Sequence, residues 1–306
     1  MESDRLFEPL RNAALSAGRL RTAVAYPLCA TSLGAAVQAR DAGYIEPVLV
    51  GPADRLRALM SDLGLGPSEL EVIDTPDDEV LAARASAALA RDGAVRMLMK
   101  GSLHTDHFMS AVVARDAGLR TDRRVSHAFV MAVAAYPKLF ILTDAAVNIA
   151  PTLQEKADIA QNAIDLARAL GVERPKIAVL CATESVNPSM PATLDAAALS
   201  KMADRRQIRG GDIDGPLAFD NAISREAADQ KGIVSKVAGE ADILLVPDIE
   251  AGNMLYKELT WLAGAGTAGL VLGTRVPVLL TSRSDSMQAR VNSCAVASLY
   301  ARALAG

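Results

Sequence analysis

The sequence predicts an α/β protein of two lobes with mostly parallel sheets. Short apolar runs alternate with segments of helical period along most of the chain, which is typical of β-α-β units. Right-handed crossovers in such units produce parallel strands with helices on both faces of the sheet. At 306 residues the chain is long enough for two lobes.

The predicted elements follow one another in a regular order. In the first part of the chain they are strand 22–27, helix 32–42, strand 47–51, helix 53–63, strand 95–100 and helix 106–117. The helix over 153–170 has the clearest signals, with Thr152 and Glu155 at capping-box spacing and Gly171 as its stop. The remaining elements are strand 176–182, helices 195–203 and 221–230, strand 242–247 and strands 270–272 and 276–280.

Residues 126–144 interrupt this alternation, because two apolar runs are joined by 134–138 with no room for a helix. A hairpin or a crossing between lobes explains the interruption. We therefore predict a first lobe of residues 1–131 and 275–306 and a second lobe of residues 132–274. If the final strand and helix return to the first lobe, the two lobes enclose a cleft that contains Arg283.

Composition narrows the function classes. The net charge of −4 argues against a nucleic-acid partner, which requires a clustered positive field. No apolar run reaches the roughly 18 to 20 residues that span a bilayer, and the N-terminus lacks the features of a signal peptide. We expect a cytoplasmic protein without a membrane partner. The cysteines Cys29, Cys181 and Cys294 form no CxxC pair, which predicts buried, reduced thiols.

The last predicted strand, an apolar run over 276–280, is followed by the polar segment Thr281-Ser282-Arg283-Ser284-Asp285-Ser286. The guanidinium of Arg283 can bind two oxygens of one phosphate, and Ser282 adds a neutral donor. A helix beginning near Ser284 or Asp285 would favour an anion further. The alternative is an ordinary Ser/Asp helix cap beside a surface arginine.

A second strand end, polar turn and helix start occur at residues 99–106, where Lys100 and Thr105 can donate to an anion. His104 and His107 are three residues apart, but a third metal ligand is hard to name, so we expect no metal site. A capping or hydrogen-bonding role is the preferred interpretation of these histidines.

Two further turns contain candidates for contact with a large ligand. Asp144 and Asn148 follow a predicted strand, although such residues are common in turns. Asn253 lies near a helix start and Lys257 one turn later, where they can contact phosphates or an amide arm; the alternative is a well-capped helix.

Together these segments resemble the phosphate acetyltransferase and phosphate butyryltransferase family. The resemblance is carried by Lys100-Gly101 with His104-Thr105, Leu119-Arg120-Thr121 with Ser126-His127, residues 143–148, residues 214–222, residues 241–253, and Leu280-Thr281-Ser282-Arg283. It implies a fold like that of isocitrate and isopropylmalate dehydrogenases, and a homodimer. It also implies transfer of a short acyl group between coenzyme A and inorganic phosphate as substrates, with no separate cofactor.

The resemblance implies that Ser282 and Arg283 are the pair that contacts phosphate and thioester, and Asn292 also matches the family. Acetyl-specific members have an aspartate where this chain has Ala289, and an arginine where it has Ser110. Asp285 resembles the butyryl-type pattern more closely, and it is the candidate general base. The identity of that base stays open, as does the length of the acyl chain.

Two other functions compete with this one. A nicotinamide-dependent dehydrogenase of the same fold would require converging carboxylates for a metal and a dinucleotide fingerprint, and no GxGxxG is evident. A non-catalytic acyl-CoA-sensing module would need neither phosphate nor turnover, but the retained Ser282-Arg283 argues against it.

Overall fold

The computed structural model describes residues 2–280 and 285–305. The helices are α1 Glu2–Arg5, α2 Glu8–Ala17, α3 Ala30–Asp41, α4 Ala53–Asp62, α5 Glu79–Arg91, α6 Thr105–Val113, α7 Leu153–Ala169, α8 Pro191–Asp204, α9 Phe219–Ile223, α10 Arg225–Gln230, α11 Ile249–Trp261 and α12 Met287–Ala303. The strands are β1 Leu20–Ala25, β2 Ile45–Gly51, β3 Glu71–Asp74, β4 Met97–Lys100, β5 Ser126–Ala132, β6 Phe140–Thr143, β7 Lys176–Leu180, β8 Asp212–Leu217, β9 Ile243–Leu245, β10 Gly266–Leu272 and β11 Val278–Leu279.

The chain divides into two compact units. The first unit contains residues 8–122 and 268–306, and the second contains residues 1–7 and 123–267. Within residues 2–280 and 285–305, no helix has both the length and the apolar character that a membrane span requires.

The first unit contains a parallel sheet in the order β3-β2-β1-β4-β11, with β10 antiparallel to β11. The apolar run of β4 pairs with β1 on one side and β11 on the other, and Met97, Leu98 and Met99 are completely buried. Such uninterrupted apolar strands are expected where helices cover both faces of a sheet.

The second unit contains a sheet in the order β5-β6-β9-β7-β8. β5 and β6 pair antiparallel, so of the two explanations for residues 126–144 the structure shows the hairpin, and the other neighbours are parallel. Its core contains Met131, Leu142 and Leu244. The predicted α/β class with mostly parallel strands is confirmed in both units.

Helix α7 shows the capping box expected from the sequence. Thr152 accepts a hydrogen bond from the Glu155 backbone, and the Glu155 side chain accepts one from the Thr152 N–H. Gly171 follows with φ of +95°, a left-handed conformation that glycine adopts without steric cost. The helix therefore lies within one residue of its predicted range.

Other boundaries differ from the prediction. Helix α6 ends at Val113 rather than at 117, and a short 3₁₀ turn follows over Arg115–Ala117. The predicted helix 221–230 is divided into α9 and α10, because the Ser224 side chain caps a new start by accepting from Ala227 N. Cys29 is exposed and Cys181 only partly buried, so the prediction of three buried thiols holds for Cys294 alone.

Candidate active site

The carboxyl end of the first unit's sheet is where the predicted phosphate site begins. Leu279 in β11 pairs with Met99 in β4, so both strands finish at the same edge of the sheet. Lys100 is the last residue of β4 and is half-buried. The predicted residues Ser282 and Arg283, with their neighbours Thr281 and Ser284, lie outside the described residues.

The turn after Lys100 is packed against the end of β1. Ser102 Oγ donates to the Tyr26 carbonyl at 2.7 Å and accepts from Leu28 N at 2.9 Å. A Cβ on Gly101 would lie 2.2 Å from the Ala25 carbonyl oxygen, so only glycine fits there. The close neighbour of Gly101 is thus the backbone at the end of β1. The turn therefore holds Lys100 at a fixed place on the sheet edge.

Thr105 is exposed at the first position of α6, and Lys100 Nζ lies 3.4 Å from the Gly101 carbonyl oxygen. An ammonium, a hydroxyl and the first turn of a helix are all donors suited to an anion. The two residues predicted to bind phosphate outside the 281–284 segment thus lie on one short stretch between β4 and α6.

Asp285 is partly buried and directly precedes Ser286, the N-cap of α12. Ser286 Oγ accepts from Ala289 N at 3.1 Å, so the helix begins at Met287 rather than near Ser284 or Asp285. Ala289 therefore occupies the first turn of α12, four residues after the carboxylate predicted to be the base.

Asn292 is buried inside the first unit, with 1% of its surface exposed. Its Oδ1 accepts from Arg11 Nη1 at 3.0 Å and from Gln288 Nε2 at 3.1 Å. Among the residues described, its Nδ2 has no hydrogen-bond partner. A buried amide that lacks a partner on one side is costly, so this nitrogen is a donor available to a further group.

In the second unit, Asp144 organises the loop that follows β6. It is 2% exposed and accepts hydrogen bonds from the backbone N–H groups of His127, Ala146 and Val147 at 2.9 to 3.1 Å. Asn148 Nδ2 also donates to it at 2.6 Å. These contacts fix the loop to β5.

Asn148 and Asn253 complete the same cluster. Asn148 Oδ1 accepts from Arg124 Nε at 2.7 Å, and its Nδ2 also reaches the Val125 carbonyl. Asn253 Nδ2 donates to the Ala145 carbonyl at 3.2 Å, which joins α11 to the loop. The structure therefore brings Asp144, Asn148 and Asn253 together, whereas Lys257 is exposed one turn further along α11.

His127 lies beside this cluster with 2% of its surface exposed. Burial lowers its pKa from 6.5 to about 4, although the nearby Asp144 charge acts in the opposite direction. Its ring packs against Phe129 at 4.3 Å between ring centroids, and Phe129 stacks on Tyr256 at 3.8 Å. The imidazole is therefore neutral at neutral pH.

A cavity of about 670 Å³ opens elsewhere in the second unit. It is lined by Arg174, Asp212 and Lys236 among others, at the amino ends of β7 and β8. Asp144 follows the carboxyl end of β6, which is parallel to these strands through β9. The cavity thus lies at the amino ends of the strands of this sheet, whereas Asp144 lies at their carboxyl ends.

Sequence reasoning missed two residues, Arg124 and Glu79, each of which makes two contacts that the fold creates. Arg124 holds Asn148 and forms an ion pair with Glu155 at 3.1 Å. Glu79 contacts both His104 and His107, at 2.8 and 2.5 Å. Glu79 is 25 residues before His104, and no spacing rule joins positions so far apart.

The chain is similar in sequence to known proteins of one family. Residues 79–298 match the model of a family described as phosphate acetyl/butaryl transferase. The chain is 54% identical over 280 residues to a phosphate acetyltransferase of Rhizobium meliloti, covering 92% of this chain and 88% of that protein. It is 43% identical over 269 residues to a phosphate butyryltransferase of Clostridium acetobutylicum, covering 88% and 89%.

Two solved structures have the same fold as this chain. A branched-chain phosphotransacylase from Enterococcus faecalis V583 superposes with a TM-score of 0.82 at 30% identity, covering 92% of this chain and 99% of that one. A 4-hydroxythreonine-4-phosphate dehydrogenase from Klebsiella pneumoniae shares the fold with a TM-score of 0.55 at 15% identity, over 92% and 99% of the chains.

Proposed function

Because the chain belongs to the phosphate acetyl/butyryl transferase family, we propose that it transfers a short acyl group between coenzyme A and inorganic phosphate. The products in the phosphate-consuming direction are an acyl phosphate and free coenzyme A. The acyl group is acetyl, propionyl or butyryl. Phosphate attacks the thioester carbonyl directly, without a covalent enzyme intermediate.

The observation that carries this proposal is the family match over residues 79–298, which includes both predicted phosphate segments. The register of β11 and β4 supports it, because Leu279 and Met99 are paired and the chain continues from there toward Ser282 on one strand and to Lys100 on the other. Neither the nicotinamide-dependent dehydrogenase nor the sensing module is favoured by these relatives.

In the proposed mechanism Arg283 holds the phosphate with a bidentate contact and orients it toward the carbonyl. Lys100 and Thr105 add donors to the same anion. Ser282 donates to the oxyanion that forms when phosphate adds to the thioester. The tetrahedral intermediate then collapses, the carbon–sulfur bond breaks, and the thiolate leaves with the electron pair.

A general base matters more in the reverse direction. A thiol that titrates near 8.5 leaves readily as the thiolate, so its protonation contributes little when phosphate is consumed. When acyl phosphate is consumed, the coenzyme A thiol must lose a proton before it attacks. We assign this step to Asp285, because Ala289 has no titratable group.

We assign contacts with the coenzyme A arm and the acyl group to Asn292, Lys257, Asn253, Asp144 and Asn148. Asn292 contributes its unpartnered Nδ2, and Lys257 an exposed ammonium for the ligand's phosphates. Asn253 lies on the same helix as Lys257 and is assigned to the same ligand. Asp144 and Asn148 act by holding the loop after β6, which Asn253 contacts. We also retain the predicted homodimer, with coenzyme A and phosphate as substrates and no additional cofactor.

The proposal is tested by following thiol release from acetyl-, propionyl- and butyryl-CoA with phosphate. Arsenate in place of phosphate should pull the reaction forward, because its acyl adduct hydrolyses. Arg283→Ala should lower the rate on the order of 10³-fold or more, since it removes both positioning and charge. Arg275→Ala is the matched control, an exposed arginine of the same unit that lies before β11.

Near-normal thiol release by Arg283→Ala would show that the assignment is wrong. Reduction of NAD by the wild-type protein with a hydroxy acid would favour the dehydrogenase. Tight binding of acetyl-CoA without turnover would favour the sensing module.

A further inference from the structure

The side chains of Glu79, His104 and His107 converge at the start of two neighbouring helices of the first unit. Glu79 Oε1 lies 2.8 Å from His104 Nδ1 and 2.5 Å from His107 Nδ1. One ligand atom from each residue lies within 4.8 Å of the other two. Two imidazole nitrogens thus face a single carboxylate oxygen.

The carboxylate is oriented by the backbone. Glu79 Oε2 accepts a hydrogen bond from His104 N at 3.1 Å, which leaves Oε1 directed at the two rings. Glu79 is the first residue of α5, and the Asp78 side chain fixes that helix start by accepting from Val80 N and Leu81 N. Contacts of this kind hold a metal ligand in place before the ion arrives.

We propose that Glu79, His104 and His107 bind a divalent transition-metal ion, of which Zn²⁺, Co²⁺ and Ni²⁺ suit the donor set. Two imidazoles and one carboxylate, with a remaining position open to water, form a common ligand set for these ions. Ligands about 2.0–2.1 Å from a tetrahedral ion are about 3.3 Å apart, so each imidazole Nδ1 needs to move away from Glu79 Oε1 by less than about 1 Å. Mg²⁺ and Ca²⁺ prefer oxygen ligands and fit less well.

Both histidine side chains are open to solvent, from which an ion would arrive. The side chain of His104 is 76% exposed and that of His107 is 46% exposed. Each ring can therefore keep its proton on the solvent-facing Nε2 while Nδ1 binds the ion.

The surrounding charge also favours a cation. Asp106 lies between the two histidines and is exposed, and Asp78 adjoins Glu79. These carboxylates offset the positive ends of the α5 and α6 dipoles. The ion would link the start of α5 to the start of α6, and the proposal does not depend on which acyl group the protein transfers.

The test is a calorimetric titration of the full chain, without an affinity tag, with Zn²⁺ alone. We expect one ion per chain. Glu79→Gln and His107→Gln should weaken binding on the order of 100-fold or more, since even outer-shell partners contribute 10–100-fold. Cys29→Ser, which replaces the exposed thiol, is the control and should bind Zn²⁺ as the wild type does. Asp106→Asn removes a nearby exposed charge but no ligand, so it should weaken binding by about fivefold or less.

Thermal unfolding gives a second measurement that needs no substrate. Zn²⁺ should raise the Tm of the wild type and of Asp106→Asn but not that of His107→Gln, because an ion that binds only the folded state stabilises it. Nearly half of the His107 side chain is exposed, so its variant should fold. Absence of binding to the wild type, or equal binding to His107→Gln, would overturn the proposal.

Discussion

At the scale of single residues, His127 shows how burial fixes a protonation state. The imidazole is buried in the second unit and its Nδ1 has no partner among the residues described. Its pKa in the folded protein is about 4, against about 6.5 for an unperturbed histidine. Between these two values the unfolded chain binds a proton at this position that the folded protein does not.

The free energy of unfolding should therefore decrease as the pH falls from about 6.5 to about 4. Above pH 6.5 His127 is neutral in both states and causes no loss. At pH 5 the loss is about 2 kcal/mol, from 1.36 kcal/mol per pH unit. Urea unfolding of the wild type and of His127→Gln at pH 7 and pH 5 measures this loss. Between these two pH values the variant's free energy of unfolding should fall by about 2 kcal/mol less than that of the wild type. Equal losses would contradict the prediction.

The residues around Asp144 show what the sequence could and could not predict about the site. Asp144, Asn148 and Asn253 could be selected because each follows a predicted strand and resembles the family pattern. Their contacts could not be predicted, because the backbone groups that Asp144 binds come from β5 and from the loop after β6. A pattern of residue types identifies polar side chains at a strand end, but not whether they contact the chain or a ligand.

At the scale of elements, local signals explain which boundaries were predictable. The range of α7 was predicted because both of its end signals are local in sequence: the capping box lies at its first turn and Gly171 directly follows its C-cap. The end of α6 was not, since Ala114 departs from the helix with ψ of 142° and neither glycine nor proline marks that position. The contact of Glu79 with two histidines depends on how α5 and α6 pack, which is tertiary information.

The turn between β4 and α6 allows a sharp test of packing at the sheet edge. Gly101→Ala should destabilise the first unit by about 1–3 kcal/mol, because its Cβ would lie 2.2 Å from a carbonyl oxygen and the backbone must shift. The same shift would move Lys100 and should lower phosphate-dependent activity. Urea unfolding and thiol release measure the two effects.

Gly34→Ala is the matched control for this substitution. Gly34 lies inside α3 and a Cβ there would meet no atom within 4 Å. Alanine should stabilise the helix by about 0.5–1 kcal/mol, since glycine loses more conformational entropy on folding. If both substitutions changed stability in the same direction, the close approach of Gly101 would not explain its effect.

At the scale of the whole molecule, the three cysteines differ in environment in a way that composition could not show. Cys29 is exposed at the start of α3. Burial raises the pKa of Cys181 to about 11, with Lys156 lowering it and Asp195 raising it. Burial raises the pKa of Cys294 to about 12. All three occur in similar Ala-rich and apolar segments, so only tertiary packing makes their exposure and pKa differ.

Thiol labelling of the native protein at pH 8 should therefore modify Cys29 first, Cys181 slowly and Cys294 only after its unit unfolds. The thiolate is the reactive form, and a thiol with a pKa near 11 is ionised to about one part in a thousand at this pH. Mass spectrometry of peptides after timed exposure to a maleimide measures the order. Cys29→Ser should abolish the fast phase, while rapid labelling of Cys294 in the folded protein would contradict its burial on α12. In urea, Cys294 then reports unfolding of the first unit and Cys181 that of the second.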